Sequence, residues 1–241
     1  MALQLYFAPG ACSFVPHTML EAAGAAFEPV MVKLHKGEHL QPAFKALNPR
    51  GQVPLLVVEG QPISQILAIV LYLDQLYPAS GFLPTEAVTR AQAMQTLAWM
   101  NNTVHTTFAH IFLPHKFSDQ KDVQAHLKQF NTQVYRELLA ELQSLVEAAQ
   151  SKGRTWLSGA NFGPLDAYAL TLTRWGGMSG IDPTSFGALW AHVQHVAAVP
   201  AVVVAHHSFS LYNNEVTKVF TGVVTRVNPD ANHLQIFFAP M

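Results

Sequence analysis

The hydrophobic pattern of this chain changes at a stretch punctuated by proline and glycine, residues 77–84. After this stretch, apolar residues recur at helical spacing. Before it, the pattern predicts helices that begin at Ser13 and Ser64, and short strands at residues 3–8, 30–34, 53–58 and 61–63. The chain is therefore expected to fold as an α/β part with a small mixed sheet, followed by an all-α part.

We divide the chain accordingly into an α/β domain at residues 1–77, a linker at 78–84, a helical domain at 85–207 and a C-terminal extension at 208–241. Within the helical domain, the predicted helices are residues 85–112, 121–150, 164–175 and 186–196. The extension combines helical spacing with many valines and threonines, which favour strands. A turn at Asn228-Pro229 makes a hairpin our prediction there.

Charged residues are scarce in this chain. Lys, Arg, Asp and Glu make up 12% of it, against about 25% in an average soluble protein, and the net charge is −1. Nucleic-acid binding depends on many basic side chains that face phosphates, so we expect no nucleic-acid partner. A solvating disordered chain needs the opposite composition and is excluded.

The apolar segments are too short to predict a membrane span. The longest, residues 66–73 and 196–205, fall well below the about 20 residues that a span needs. The N-terminus has no basic region before its first apolar stretch, so a secretory signal is not expected. We therefore expect a cytoplasmic protein with no membrane partner.

Cys12 is the single cysteine, which excludes an intrachain disulfide and a Cys-rich zinc site. It lies between a predicted strand and a helix that begins near Ser13, so its sulfur is expected at a helix N-terminus. The backbone dipoles there favour a thiolate and lower the pKa of the thiol. The alternative is a buried, inert cysteine, the commonest state of a lone one.

Two further segments carry groups that bind ligands in other proteins. Pro54 opens a strand after Gln52 and Val53, and a cis bond there would leave the backbone of Val53 free to pair with an extended peptide. A proline that merely begins a strand is an equal alternative. Gln65 and Ile66 lie at a helix start, where free N–H groups attract a carboxylate.

The histidines and aromatic residues allow a functional and a structural interpretation. Twelve histidines are present, but His105, His110 and His115 are spaced by five and would not share a helix face, so no metal site is predicted. Four aromatic side chains could line an apolar substrate pocket or simply fill the core: Trp99, Phe108, Phe112 and Trp175.

The ordered motifs resemble those of cytosolic glutathione S-transferases, and most of all the bacterial beta class. In the first part these are YFAPGACS at residues 6–13, NPRGQVP at 48–54 and SQILAI at 64–69. In the second part, WLSG at 156–159, DAY at 166–168 and RW at 174–175 are similar to the helical domain of that class. The resemblance covers roughly residues 3–204, and it implies a thioredoxin-like N-terminal domain followed by an all-helical C-terminal domain.

The resemblance also implies a role for each matching residue, with glutathione as co-substrate and no metal. Cys12, Ser13 and His105 would be the catalytic residues, with Cys12 beside the glutathione sulfur. Val53, with Pro54 cis and Gln52 before it, would bind the cysteinyl part of glutathione. Gln65 and the backbone at Ile66 would hold the γ-glutamyl carboxylate, and Lys36, or His35 beside it, the glycyl carboxylate. Phe108, Phe112 and Trp175 would line the apolar pocket.

Two positions depart from the family pattern. The residue after Gln65 is usually small and often serine, but here it is Ile66, and a lost hydrogen bond to a carboxylate costs about 1.5–3 kcal/mol. Gly163 replaces a capping threonine before Asp166, at a cost of only a few tenths of a kcal/mol. We interpret Asp166 as structural, a buried carboxylate that accepts from helix amides.

The function implied is conjugation of the glutathione thiolate to small apolar electrophiles, as in detoxification. One alternative is a glutathione-dependent thiol transferase or peroxidase that acts through a mixed disulfide of Cys12. Another is a non-catalytic ligand- or partner-binding protein on the same fold. Residues 85–117 hold three charged side chains in 33, whereas 121–154 hold nine in 34. Since the charge-poor helices resemble those that line the dimer interface and the pocket, we also predict a homodimer.

Overall fold

A computed structural model describes residues 2–211, 223–227 and 236–239 of the chain. Its first part contains a four-stranded sheet in the order β2-β1-β3-β4. The strands are β1 (Leu3–Phe7), β2 (Glu28–Met31), β3 (Leu55–Val58) and β4 (Gln61–Ser64). β2 is parallel to β1, and the other neighbours are antiparallel. The mixed sheet expected from the sequence is confirmed.

Three helices accompany this sheet: α1 (Phe14–Ala22), α2 (Pro42–Leu47) and α3 (Ile66–Leu76). α3 buries Ile66, Ile69, Val70 and Leu73, which recur at the spacing of one helix face. α2 is absent from the sequence-based prediction because six residues are too few to show a helical period. The one local signal for it is Pro42 at its first turn.

The second part is helical, as predicted, but its first long segment is not a continuous α-helix. α4 (Ala87–Trp99) passes through a π-helical turn, Met100–Val104, into α5 (His105–Phe112). The remaining helices are α6 (Lys121–Ser151), α7 (Pro164–Met178), α8 (Gly187–Ala197) and α9 (Pro200–Leu211). α9 was not predicted, because its apolar residues form a continuous run rather than a stripe.

An ion pair between Asp74 and Arg90 anchors the segment that connects the two parts, residues 77–84. The Asp74 carboxylate, near the end of α3, accepts from the Leu83 backbone N–H at 3.1 Å. Arg90 of α4 lies 2.8 Å from the same carboxylate and also donates to the Pro84 carbonyl at 3.3 Å. The proline- and glycine-rich segment is therefore held to a helix of each part.

The core is continuous across the two parts because α1 packs against both α7 and α9. α7 is almost wholly buried: its covered residues include Leu165, Ala167, Leu172 and Trp175. A helix covered on nearly all sides has no solvent face to carry charges. This accounts for part of the charge deficit without a second subunit.

Asp166 is buried and structural, as expected, but the N–H groups that it accepts from belong to the segment before α7 and not to a helix. Its fully buried carboxylate accepts from the backbone N–H groups of Leu157, Ser158 and Gly163 at 2.7, 3.3 and 3.1 Å. The His192 ring lies 3.2 Å from the same carboxylate. These contacts join the loop before α7 to the first turn of that helix and to α8.

Two short strands, β5 (Val223–Val227) and β6 (Ile236–Ala239), pair antiparallel with an irregular register between Val224 and Arg226. The other positions of the predicted extension beyond Leu211 lie outside the described residues. Among the residues described, no single helix has the length and apolarity to cross a bilayer, although Gly187–Ala197 and Pro200–His206, bent by 78°, meet that requirement as a pair.

Candidate functional site

The connection between β1 and α1 places Cys12 one residue before the helix cap, as the strand–helix pattern predicted. Ser13 occupies the N-cap position, is fully buried, and makes no capping hydrogen bond with its side chain. Its hydroxyl accepts from the Ala8 N–H at 3.1 Å and donates to the Ala8 carbonyl at 3.2 Å. Both hydrogen-bonding functions of Ser13 are thus used to close the loop, and in this arrangement they are not directed at a ligand.

Burial decides the acidity of Cys12. The side chain is 7% exposed, and loss of solvation raises the pKa of its thiol to about 12, although the N–H groups of Cys12 and Ser13 act in the opposite direction. The expectation of a lowered pKa is therefore wrong, because desolvation of the thiolate exceeds the stabilisation by the helix amides. Cys12 is a neutral thiol at physiological pH.

The segment from Asn48 to Pro54 brings a backbone carbonyl to this thiol. The Val53–Pro54 peptide bond is cis, as expected, and the Cys12 sulfur lies 3.9 Å from the Val53 carbonyl oxygen. The buried Asn48 side chain donates to the Gln52 carbonyl at 2.7 Å and accepts from the Arg50 N–H at 3.3 Å. Val53 precedes β3, so its backbone is outside the strand ladder.

The start of α3 provides a second candidate binding position. Gln65 is exposed and has φ 76° and ψ 128°, a conformation that L-residues adopt rarely and that concentrates at ligand sites. No side chain caps this helix end. Ile66 is 3% exposed and packs into the core, so only its backbone is available to a ligand.

Lys36 and His35 lie in a single 3-10 turn, Leu34–Lys36, and both are exposed. Within the described residues, neither side chain makes a hydrogen bond or an ion pair. Their predicted role toward a glycyl carboxylate stays a prediction.

The helical part contributes an imidazole. His105, the first residue of α5, has its Nδ1 atom 2.7 Å from the hydroxyl of the buried Tyr168 on α7. Tyr168 in turn donates to the Asn101 side-chain oxygen at 3.3 Å. Loss of solvation lowers the pKa of His105 to about 4, so the ring is neutral at physiological pH.

An aromatic group connects this imidazole to the Cys12 loop. The Trp175 indole N–H donates to the Gly10 carbonyl at 2.9 Å, two residues before Cys12. The Trp175 ring contacts His105 edge to face at 4.7 Å and stacks on Phe108 at 4.6 Å. Phe108 also stacks on Phe112, which is 57% exposed. The three residues predicted for an apolar pocket therefore form one stack that runs from the loop to the surface.

Sequence reasoning missed the roles of Asn101 and Tyr168. In the sequence, Tyr168 belongs to the DAY motif at residues 166–168, and Asn101 belongs to no motif. Tyr168 lies 63 residues from His105 and 67 from Asn101 in the chain, so only the folded structure brings these three side chains into contact. The available signal was the helix face shared by Asn101 and His105, four residues apart.

The described residues contain no cluster of three or more His, Cys, Asp or Glu side chains that could hold a metal ion. The geometry thus brings together a neutral thiol, the backbone carbonyl of Val53 that this thiol contacts, an uncapped helix start, a neutral imidazole and an aromatic stack. Such a set suits a small molecule with an extended peptide part and an apolar part.

Comparison with known sequences finds similarity to proteins that bind such a molecule, the glutathione S-transferases. Residues 1–75 match the family model described as glutathione S-transferase, N-terminal domain. Glutathione S-transferase GST-4.5 of Xanthomonas campestris pv. campestris is 32% identical over 197 residues, which cover 81% of this chain and 93% of that protein.

Solved structures show the same fold. The structure of a sphingomonad glutathione S-transferase complexed with glutathione superposes with a TM-score of 0.73 at 29% identity, covering 86% of this chain and 99% of that one. A bacterial beta class glutathione S-transferase of Sphingomonas chungbukensis gives a TM-score of 0.74 at 26% identity, with the same coverage of both chains. The thioredoxin-like domain followed by a helical domain is thereby confirmed.

Proposed function

Because the chain belongs to the glutathione S-transferase family, a family of enzymes, we propose that it conjugates the glutathione thiolate to small apolar electrophiles in the cleft between its two parts. In this reaction the glutathione thiol gives its proton to solvent, the sulfur forms a bond to the electrophilic carbon, and the bond from that carbon to the leaving group breaks, the leaving group taking the electron pair. Glutathione is the co-substrate, and no metal takes part in the proposed reaction.

One observation carries the proposal. Trp175 of the helical part donates to the Gly10 carbonyl and contacts His105, so the aromatic stack lies against the loop that carries Cys12. A thiolate bound at that loop would lie close to an apolar ring system that reaches the surface at Phe112. A bound nucleophile beside an apolar pocket is the arrangement that conjugation requires.

Glutathione would bind along the edge of the first part. The backbone of Val53, following Gln52 and preceding Pro54, would pair with the cysteinyl residue. The exposed Gln65 and the backbone N–H of Ile66 would hold the γ-glutamyl carboxylate. Lys36 would meet the glycyl carboxylate.

Cys12 would act as a hydrogen-bond donor to the glutathione sulfur. Burial raises the pKa of its thiol to about 12, so the S–H group persists at neutral pH. A mixed disulfide needs the thiolate form of the attacking cysteine, and this form is rare here. The proposal therefore favours conjugation over thiol transfer or peroxidase chemistry through Cys12.

Ile66 provides the specific observation that favours a second candidate function, a ligand-binding protein without turnover. Its side chain lies in the core and offers no hydroxyl to the γ-glutamyl carboxylate. Glutathione would then be held by fewer hydrogen bonds than in a protein with serine at this position.

Calorimetric titration with glutathione tests both candidates. We expect the wild type to bind, and Ile66→Ser to bind about tenfold more tightly than the matched control Ile66→Ala, because only serine adds a hydrogen bond. Circular dichroism would verify that both variants remain folded. No heat of binding from the wild type at millimolar glutathione would overturn the proposal. Binding without turnover of model aryl halides would support the binding protein instead.

We further propose that the protein is a homodimer located in the cytoplasm and that its role is detoxification. The resemblance to cytosolic transferases supports the location and the role. The low charge of residues 85–117 supports an apolar interface.

A further inference from the structure

The hydroxyl of Tyr168 is held by two residues of the same helical segment. Asn101 and His105 are four residues apart, so their side chains lie on one face about one turn apart. The Asn101 oxygen lies 3.3 Å, and the His105 Nδ1 atom 2.7 Å, from the Tyr168 hydroxyl. Tyr168 itself is fully buried on α7.

The backbone between these residues is not α-helical. The His105 N–H donates to the carbonyl of Met100, five residues back, as in a π-helix. Such turns are rare and occur frequently at functional sites. The turn therefore sets the relative position of the two side chains that reach Tyr168.

A proton count determines which ring nitrogen of His105 carries hydrogen. Burial raises the pKa of Tyr168 well above its usual value, so its hydroxyl keeps one proton to donate. The Asn101 amide N–H₂ donates to the Asn102 side-chain oxygen at 2.8 Å, which leaves the Asn101 oxygen facing Tyr168. The tyrosine proton goes to Asn101, and the 2.7 Å contact is then a hydrogen bond only if His105 donates from Nδ1.

We propose that Asn101 and Tyr168 are positioning residues that hold His105 in the Nδ1–H tautomer and leave the Nε2 lone pair as an acceptor. Within the described residues, Nε2 makes no hydrogen bond, so a ligand can occupy it. The hydrogen bond made by one ring nitrogen is what selects the state of the other.

This inference deepens the proposed function and rests on it in one respect: the identity of the group that donates a hydrogen bond to Nε2. In the conjugation reaction that donor is the thiol of glutathione before it ionises. Burial lowers the pKa of His105 to about 4, so the imidazole is present as a neutral acceptor at neutral pH. The tautomer itself can be measured without glutathione.

The experiment is a long-range ¹H–¹⁵N correlation spectrum of the imidazole groups in ¹⁵N-labelled full-length protein at pH 7. His105→Gln identifies the His105 signals. We expect the wild type to show the Nδ1–H tautomer. Asn101→Ala should convert His105 to the Nε2–H tautomer. Without the Asn101 oxygen, the Tyr168 hydroxyl would donate to Nδ1, which must then carry no hydrogen. Asn101→Asp, which keeps an acceptor oxygen, should retain Nδ1–H.

Tyr135→Phe is the matched control for Tyr168→Phe. Tyr135 is also a fully buried tyrosine, but its hydroxyl donates to the Leu172 carbonyl at 2.8 Å rather than to a histidine. Tyr135→Phe should keep the Nδ1–H tautomer, whereas Tyr168→Phe should lose it. Since Asn101 is only half-buried, its variants remain informative even if Tyr168→Phe does not fold.

An Nε2–H signal from wild-type His105, or an unchanged Nδ1–H signal in Asn101→Ala, would overturn the assignment. A kinetic measurement distinguishes failure of the tautomer assignment from failure of the proposed transferase function. If both hold, Asn101→Ala lowers kcat about fivefold with little change in glutathione affinity. If the tautomer is Nδ1–H but the wild type has no transferase activity, only the proposed function fails.

Discussion

At the scale of the residue, two opposing effects meet at the thiol of Cys12. The N–H groups at the start of α1 stabilise a thiolate, while enclosure by protein removes the water that would solvate it. With the side chain only 7% exposed, the second effect is larger. The position of Cys12 follows from the strand–helix pattern around it, but its acidity depends on how completely the rest of the molecule covers it.

The pH dependence of alkylation tests this conclusion. Because the pKa of Cys12 is about 12, the thiolate fraction should rise about tenfold per pH unit between pH 7 and 10. We expect the rate of iodoacetamide labelling of the native protein, followed by mass spectrometry, to rise without a plateau over that range. In urea, where Cys12 is solvated, the rate should level off near pH 9. A plateau below pH 9 in the native protein would restore Cys12 as a candidate nucleophile.

At the scale of the element, the helices of the second part are arranged by close packing. Gly176 of α7 faces α6, and a β-carbon added there would come 2.7 Å from a methyl group of the fully buried Leu139. Tyr135, also on α6, donates to the Leu172 carbonyl of α7. α6 and α7 therefore pack closely at Gly176 and are joined by the hydrogen bond from Tyr135 to Leu172.

Gly176→Ala should destabilise the protein although alanine is the better helix former. We expect the free energy of unfolding to fall by about 1–3 kcal/mol, because the added methyl group overpacks a filled core. Urea denaturation measures this change. Gly187→Ala, in the first turn of α8 with open space around it, is the control and should change stability by less than about 0.5 kcal/mol. Equal effects of the two substitutions would contradict the packing argument.

At the scale of the whole molecule, the low charge has two separate sources. α7 carries only two charged residues, Asp166 and Arg174, because most of this helix is enclosed within the chain. α4 is different: only Ala93 and Leu97 of its thirteen residues are buried, and Val88 is 62% exposed. The exposed side of α4 carries almost no charge and includes Val88, which agrees with contact to a second copy.

Sedimentation equilibrium at micromolar protein concentration tests whether two copies associate through α4. We expect the mass of two 26.5 kDa chains for the wild type. Val88→Glu should shift the population toward the monomer, because it places a charge in the proposed interface. Phe130→Glu on α6, where the native side chain is equally exposed at 60%, is the control and should remain dimeric. A monomeric wild type would refute the proposed dimer.

The sequence alone determined the features that depend on neighbouring residues. The change of hydrophobic period at residues 77–84 predicted the two parts, and the strand–helix connection placed Cys12 beside a helix start. The helix over 121–150 likewise follows from a short-range pattern. Local spacing is sufficient for these because backbone hydrogen bonds join residues that are close in the chain.

The tertiary structure alone decided features that depend on burial or on contacts between distant segments. Desolvation raises the pKa of Cys12, the Ser13 hydroxyl is used by Ala8, and α9 is defined by its packing on α1. The contact of His105 with Tyr168 joins residues 63 positions apart across a π-turn that no sequence period indicates. Solvation and side-chain pairing depend on the whole surroundings of a group, and the order of residues specifies these only through the complete fold.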